Sequence, residues 1–281
     1  MRGMLGRLAG TRYGIAGLLI MLVLVLLAVF APVLAPYGPR QQVGISLLPP
    51  SRAFPMGTDN IGRDMLSLVL ISTRASLLIG VTAALAALLV GGTVGMLAGY
   101  WRGTTEAVLM RLAELFQILP VIVVVLFAIA LFGSSFWLLI AAVALAIWPL
   151  EARLIYGQFV NLRQREFVAA AIVADMPAWH IVLREILPNA LPPVIVQVAL
   201  DASLAILIES GLGFLGLSDA NMVSWGQLLF PAQTYLQSAW WMSVFPGVAI
   251  CIAVIGLNLL ADGLNEVVNP RAGQRLVGLP E

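Results

Sequence analysis

Six long apolar runs constrain this chain more than any other feature of its sequence. They lie at about 14–36, 76–100, 107–132, 134–154, 190–212 and 240–264. Each can cross a hydrocarbon layer about 30 Å thick, which takes about 20 mainly apolar residues in a helix. With 61% hydrophobic and 10% charged residues over 281 positions, the chain is excluded from the class of soluble globular proteins. We therefore predict an all-α, polytopic membrane protein with six transmembrane helices, in a single domain over residues 1–281.

The arginines set the expected orientation, because positive charge is retained on the cytoplasmic side of a membrane. All fifteen basic residues are Arg. With the amino terminus inside, eleven are cytoplasmic (Arg2, Arg7, Arg12, Arg102, Arg111, Arg153, Arg163, Arg165, Arg184, Arg271 and Arg275) and four are outside (Arg40, Arg52, Arg63 and Arg74). We therefore predict that both termini are cytoplasmic and that the first run is an uncleaved span.

Scarce residue types exclude several kinds of chemistry. The chain has no Lys, which a nucleotide-binding P-loop needs. Cys251 and His180 are single examples of their types, too few for a Cys/His metal cluster, a disulfide or a Cys–His nucleophile. No nucleophile and base are visible within the spans. We therefore predict that the chain is not an enzyme, binds no metal or other cofactor, and has no nucleic-acid partner.

An amphiphilic connection at about 155–189 separates the fourth and fifth runs. Its residues from Arg165 to Ala174 favour helix, Asp175-Met-Pro177 breaks it, and Pro177 suits the first turn of a second helix. Trp179 and Phe167 would be apolar anchors. An interfacial hairpin on lipid headgroups is one interpretation. We favour two short helices that dock a soluble partner, because the turn between them would project from the membrane.

A second long connection, external and at about 37–75, is rich in Pro and Gly at its start and continues with Gly57-Thr-Asp-Asn-Ile-Gly-Arg-Asp64. Thr58 or Asp59 could cap a short helix there. We favour a turn that packs on the membrane domain over direct contact with a substrate.

Small residues within the second run predict a close helix contact. Gly91, Gly95 and Gly99 recur at four-residue spacing, so they lie on one face and allow another helix to approach. This seam is internal or faces another subunit, and we favour the internal position. In the third run, Arg111 and Glu114 are predicted to form a local ion pair, and Pro120 is predicted to bend the helix.

Two carboxylates lie deep in the fifth run, where ionised groups cost a few kcal/mol each. Asp201 and Glu209 are about two turns apart and could border one water-filled translocation path. Alternatively, each is satisfied by a neighbouring helix or, for Glu209, by solvent at the outer surface.

Seven motifs, taken together and in order, carry a resemblance over nearly the full length. They are Leu34-Ala-Pro-Tyr-Gly-Pro39, Gly57-Thr-Asp-Asn-Ile-Gly-Arg-Asp64, Arg163-Gln-Arg-Glu-Phe-Val168, Ile186-Leu-Pro-Asn189, Glu209-Ser-Gly-Leu-Gly-Phe-Leu-Gly-Leu217, Ser224-Trp-Gly226, and Asn258 through Asp262-Gly-Leu264 to Asn269-Pro-Arg271. The chain thereby resembles the second-type (C-type) permease subunit of dipeptide, oligopeptide and nickel importers of the ATP-binding-cassette class.

The resemblance implies a type I ABC importer permease in the bacterial cytoplasmic (inner) membrane, in contact with membrane lipid. It also implies the partners: a second homologous permease subunit, two ABC ATPase subunits that hold ATP and Mg, and an extracytoplasmic substrate-binding protein. The ATPase-coupling loop would comprise Glu166, Phe167, Ala170, Ala171, Asp175, Met176, Pro177, Trp179 and His180.

This loop departs from the family pattern at two positions. The family has Glu-Ala-Ala and, four residues later, Gly, whereas this chain has Ala169-Ala170-Ala171 and Asp175. Asp175 must either adopt a left-handed backbone, at a cost of about 1 kcal/mol, or reshape the turn, for example as a helix cap.

The function expected from the resemblance is import of di- or oligopeptides, with this chain forming half of the path and coupling it to the ATPases. Nickel or a metal chelate, glutathione and haem are alternative substrates. A different class, an ion-gradient-driven secondary transporter, would be expected to show internal repeats or broken, charged helices around a central site.

Overall fold

The computed structural model describes residues 8, 10–219 and 221–268, and all statements below refer to them. The helices are α1 (Arg12–Leu34), α2 (Met65–Tyr100), α3 (Thr104–Ile118), α4 (Val121–Phe132), α5 (Phe136–Arg163), α6 (Glu166–Val173), α7 (Ala178–Phe214), α8 (Trp225–Ala232) and α9 (Trp241–Val268). Arg2, Arg7, Arg271, Arg275 and the motif Asn269-Pro-Arg271 lie outside the described residues.

The predicted all-α architecture is confirmed, with five to six apolar membrane-spanning helices in the described residues. Five helices, α1, α2, α5, α7 and α9, are each long and apolar enough to cross a membrane. The third predicted span corresponds to two helices, α3 and α4, which meet at a bend of 87°. Leu119 at the bend has an extended backbone, as expected for a residue before proline, and Pro120 precedes the first residue of α4. The predicted bend at Pro120 is therefore present.

The second span begins at Met65, eleven residues earlier than predicted, so the connection after α1 ends at Asp64 and not near residue 75. The hydroxyl side chains of Ser67, Ser72 and Thr73 lower the hydropathy of this part of the sequence, which is typical of a connection. Within the helix they are satisfied locally: Ser72 Oγ and Thr73 Oγ1 each donate to the carbonyl oxygen of Val69 at 3.0 Å. Such internal bonds allow polar residues to enter a span at low cost.

The residue that caps this span is also different from the prediction. Asp64 accepts hydrogen bonds from Ser67 N at 2.9 Å and Ser67 Oγ at 2.6 Å. Asp59 instead closes the preceding turn, where its carboxylate accepts from Arg63 N at 2.8 Å and pairs with the Arg63 guanidinium at 2.6 Å. Thr58 Oγ1 donates to the carbonyl oxygen of Ile45 at 2.7 Å.

Three apolar clusters hold the bundle together. The first joins α1, α2, α7, α8 and α9 around the fully buried Trp225. The second joins α2, α4, α5 and α7 around Ile147. The third packs α5, α6 and the start of α7 around Phe159, Val168 and Ile186, so α6 is fixed to the spans on both of its sides.

Candidate functional site

The connection between α5 and α7 folds into a short helix and a tight turn. Arg165 precedes α6, and Asp175 follows it with a backbone φ of 55°. The Met176 N–H donates to the carbonyl oxygen of Ala171 at 3.1 Å, and the Asp175 N–H donates to that of Ile172 at 3.0 Å. These two bonds define the Schellman ending of a helix, in which a left-handed residue, usually Gly, satisfies the last carbonyl groups. Of the two predicted outcomes for Asp175, the structure has the left-handed backbone.

In the second half of the connection, the structure differs from the sequence prediction, which was a separate short helix. α7 starts at Ala178, directly after Pro177, and continues into the fifth span as far as Phe214, over 37 residues. A π-helical segment, Ile181–Ile186, lies within it, and the Leu187 N–H donates to the carbonyl oxygen of Val182. Because the helix is unbroken, the turn at Asp175 is joined directly to a membrane span.

The coupling-loop residues predicted from the sequence fall mainly on the open surface of this turn. Exposed ones are Glu166, Phe167, Ala170, Asp175, Met176, Pro177 and Trp179. His180 is half-buried, with its ring 5.6 Å from that of Trp179, and Ala171 is buried. Ala171 and Val168 therefore attach α6 to the bundle, while the others remain available to a partner.

Large apolar side chains are concentrated at this surface. They are Phe167, Ile172, Val173, Met176, Trp179 and Leu183, and we call them the turn patch. Val173 is 88% exposed and Trp179 is 58% exposed. Several exposed apolar side chains within one short connection are typical of a site of interaction with protein or lipid.

The three predicted packing glycines lie between α2 and α5. A Cβ atom on Gly91 would be 2.3 Å from the carbonyl oxygen of Trp148, and one on Gly95 would be 2.5 Å from that of Ala152. At Gly99 it would be 2.5 Å from Phe159 Cβ. The seam is thus within this chain, where the absence of side chains lets two backbones touch.

The two predicted path carboxylates are both buried, and each has its own polar surroundings. Asp201 is 1% exposed, and its Oδ1 accepts from Gln197 Nε2 at 2.8 Å. Glu209 is 0% exposed, and its Oε1 accepts from Ser224 Oγ at 2.5 Å and Ser218 Oγ at 3.3 Å. Each carboxyl group is thus enclosed by the residues around it, and a position of either one at a translocation path stays a prediction.

Sequence reasoning missed a third deep carboxylate, Glu151. Its side chain is 0% exposed and neighbours the Asp201 carboxyl group across the α5–α7 contact. The predicted fourth span ended at residue 154, which put Glu151 near a membrane surface; α5 in fact continues to Arg163. The sequence contained one signal for this site, which was a charged residue within an apolar run.

A polar cleft of about 520 Å³ opens between α3 and α5. Its wall contains the predicted ion pair of Arg111 with Glu114, at 3.2 Å, and Arg153 is 3.6 Å from the same carboxylate. On the other wall Tyr156 donates a hydrogen bond to Glu106. Because these charges largely pair with one another, the cleft is a weaker candidate for a binding site than the turn patch.

Two family models match the chain. One, described as a binding-protein-dependent transport system inner membrane component, matches residues 91–274. The other, the N-terminal transmembrane domain of oligopeptide transport permease C, matches residues 1–50. Together they leave only residues 51–90 and the last seven positions unmatched.

Curated relatives are similar over most of their length. A probable D,D-dipeptide transport system permease protein of Escherichia coli (strain K12) is 34% identical, covering 95% of this chain and 90% of the relative. A dipeptide transport system permease protein of Bacillus subtilis (strain 168) is 35% identical, covering 94% and 84%. An oligopeptide transport system permease protein of Haemophilus influenzae is 36% identical, covering 76% and 70%.

The fold is similar to that of a solved transporter. Inward-facing conformations of the MetNI methionine ABC transporter contain a chain that matches with a TM-score of 0.60. The match covers 73% of this chain and 97% of that chain, at 16% sequence identity. The match supports a similar arrangement of spans in the two chains.

Proposed function

Because the chain belongs to the family of binding-protein-dependent transport system inner membrane components, we propose that it is the permease subunit of an ATP-driven importer of di- or oligopeptides. The resemblance drawn from its motifs is thereby confirmed at the level of the family. The curated relatives named for dipeptide and oligopeptide transport support this substrate class. In this role the chain lines half of a translocation path and carries out no covalent chemistry.

The observation that carries the proposal is the turn patch. Its apolar side chains belong to the Arg-rich connection of the chain, which the distribution of positive charge assigns to the cytoplasm. There they can bury against a soluble ATPase subunit, which would supply the ATP and Mg sites. Trp179 is the expected centre of that contact, since large aromatic anchors contribute most to binding.

The continuous helix α7 provides the mechanical link. A displacement of the turn at Asp175 moves Ala178 and the following residues as part of the fifth span, since only Met176 and Pro177 separate them. Helices packed at native density move as rigid bodies between discrete arrangements. ATP-driven closure of two ATPase subunits would thus alternate the path between inward-open and outward-open states.

A second permease subunit is proposed to cover the broken span. α3 and α4 contribute few buried residues, namely Ala113, Val125 and Ile129, and they expose many large apolar ones. Val108, Leu112, Leu115, Ile118, Ile122, Val123, Phe127 and Leu131 are in this exposed set. An extracytoplasmic substrate-binding protein would deliver the peptide on the side of the α1–α2 connection.

The docking role is tested with Trp179→Ala and a matched control, Trp240→Ala. Trp240 is similarly exposed, at 50%, but lies at the opposite end of the bundle beside α9. Loss of an interface anchor costs about 2 kcal/mol or more, so ATPase association should weaken by about 30-fold. Trp179→Ala should insert in the membrane normally and lose uptake, while Trp240→Ala should retain ATPase binding. Full uptake by Trp179→Ala would contradict the docking role.

The substrate class is tested through the cognate binding protein. Mass spectrometry of the ligand that it retains on purification should identify short peptides. Nickel, a metal chelate, glutathione or haem in their place would redirect the proposal within the same architecture. The broken α3–α4 span is a feature of secondary transporters too. Uptake driven by an ion gradient in vesicles that contain no ATPase subunit would therefore favour that different class.

A further inference from the structure

Two acidic side chains face each other inside the bundle, and no basic side chain of the described residues pairs with them. Glu151 of α5 and Asp201 of α7 are 0% and 1% exposed, and their carboxyl groups are neighbours across the contact between these two helices. Gly91 of α2 closes the site from a third side, since a Cβ atom there would be 2.8 Å from Glu151 Cβ. Solvent is thus excluded around the pair.

The hydrogen bonds around this pair are incomplete. Among the described residues, only Asp201 Oδ1 has a donor, which is Gln197 Nε2 at 2.8 Å. Glu151 Oε1, Glu151 Oε2 and Asp201 Oδ2 are buried and have no partner there. Two adjacent carboxylates, both charged and enclosed in an apolar interior, would repel each other and lose their hydration without compensation.

We propose that Glu151 and Asp201 share one proton, so that the Glu151 carboxylic acid donates a hydrogen bond to Asp201 Oδ2 and joins the fourth and fifth spans. The proton comes from solvent, no bond other than O–H forms, and the pair carries one negative charge. This arrangement provides partners for two of the three orphaned oxygens. It makes the contact between α5 and α7 depend on a bound proton.

Among the described residues, no other group is placed to neutralise the charge of the Glu151–Asp201 pair. On the helices of the pair, the other ionisable side chains are Arg153, Tyr156, Arg163, His180, Arg184, Glu185 and Glu209. On the helices packed against them, they are Arg74 and Tyr100 on α2, Glu106, Arg111 and Glu114 on α3, Glu166 on α6, and Cys251, Asp262 and Glu266 on α9. The Arg163 guanidinium lies over the Tyr100 ring, 5.3 Å from its centroid. Arg153 is two residues from Glu151, but its guanidinium lies 3.6 Å from Glu114. A proton is favoured over a metal cation because calcium, for example, takes about six to eight oxygen ligands, more than these side chains supply.

The consequence is a stability that depends on pH in a defined direction. Below the pH at which the shared proton leaves, the α5–α7 contact is complete. Above it, the folded state holds two negative charges in its interior, whereas the unfolded chain exposes both to water. Stability is therefore lost as the pH rises through this range.

Glu151→Gln tests the shared proton, because the amide supplies a donor that does not titrate. Thermal unfolding of the purified protein in detergent should show a midpoint that falls in the alkaline range for the wild type. That decline should be lost in Glu151→Gln and retained in the matched control Glu114→Gln, whose carboxylate is 42% exposed. An undiminished alkaline decline in Glu151→Gln would overturn the proposal.

Infrared spectroscopy gives a second readout that does not depend on transport. The difference between wild type and Glu151→Gln should contain a carboxylic-acid C=O band, and its absence would overturn the proposal. If the Glu151→Gln variant does not accumulate, the same measurements are made on the Asp201→Asn variant. A midpoint that changes when sodium is replaced by a large organic cation at constant pH would assign the site to a metal ion. Unlike the uptake assays, these measurements remain informative if the proposed transport function fails.

Discussion

The indole N–H of Trp241 donates a hydrogen bond of 3.0 Å to the backbone carbonyl oxygen of Thr58, which lies 183 residues earlier in the chain. This bond attaches the connection between α1 and α2 to the start of the last span. Leu48 N also donates to Thr58 Oγ1 at 2.8 Å, so the segment is folded back on itself at the same point. The connection is therefore part of the packed domain, as the favoured interpretation of its sequence predicted.

Gly57 is the residue that permits this attachment, and Gly57→Ala is expected to weaken it. Its φ is 75°, and a Cβ atom would be 2.6 Å from the Leu48 carbonyl oxygen and 2.7 Å from Trp241 Nε1. Backbone strain of this kind costs about 1–3 kcal/mol. Thermal unfolding should show a lower midpoint, with faster proteolysis near residues 45–60. Gly38→Ala is the control, since a Cβ atom there meets nothing within 4 Å and should change neither measurement.

Gly95→Ala should destabilise the seam between α2 and α5. The added methyl group would be 2.5 Å from the Ala152 carbonyl oxygen, so the two helices must separate. Overpacking of this kind costs about 1–3 kcal/mol. The expected result is a lower unfolding midpoint in detergent. Gly157→Ala on α5, where a Cβ atom meets nothing within 4 Å, should be neutral or stabilising; equal losses in both variants would contradict a specific seam.

The sequence predicted the features that depend on local chemistry. Apolar length located the six spans, and Pro120 marked the bend because proline disfavours helix at the residue before it. The early start of α2 was missed because the hydroxyls of Ser72 and Thr73 lower its hydropathy, although they bond to the helix itself.

Features that depend on contacts between distant residues were not accessible in the same way. Glu151 and Asp201 are 50 positions apart, and only the packing of α5 on α7 makes them neighbours. The sequence did not predict the continuity of α7, whose helix includes Pro188, Pro192 and Pro193.

Asp175→Gly should relax the turn that ends α6. Glycine adopts the φ of 55° without the steric cost that a side chain incurs in a left-handed backbone, about 1–2 kcal/mol for an ordinary residue and less for Asp. The hydrogen bond from Met176 N to Ala171 O should persist, with slower amide hydrogen exchange at Met176. Asp175→Val should have the opposite effect, since a β-branched residue fits this backbone poorly. Faster exchange at Met176 in Asp175→Gly would show that the Asp side chain itself holds the turn.

Ser224→Ala should cost more than the loss of a helix cap alone. Its Oγ donates to the buried Glu209 Oε1 at 2.5 Å and accepts from Gln227 N at 3.2 Å, so one hydroxyl both caps α8 and satisfies a carboxyl group inside the bundle. Loss of a cap costs about 1 kcal/mol, and leaving a buried carboxyl group short of a donor adds about 1–3 kcal/mol. Ser135→Ala is the matched control, because that hydroxyl caps α5 by accepting from Leu138 N at 3.3 Å and is exposed. The unfolding midpoint should fall further in Ser224→Ala, and Ser224→Thr should recover most of the difference; equal shifts in the two alanine variants would mean that Glu209 does not depend on this donor.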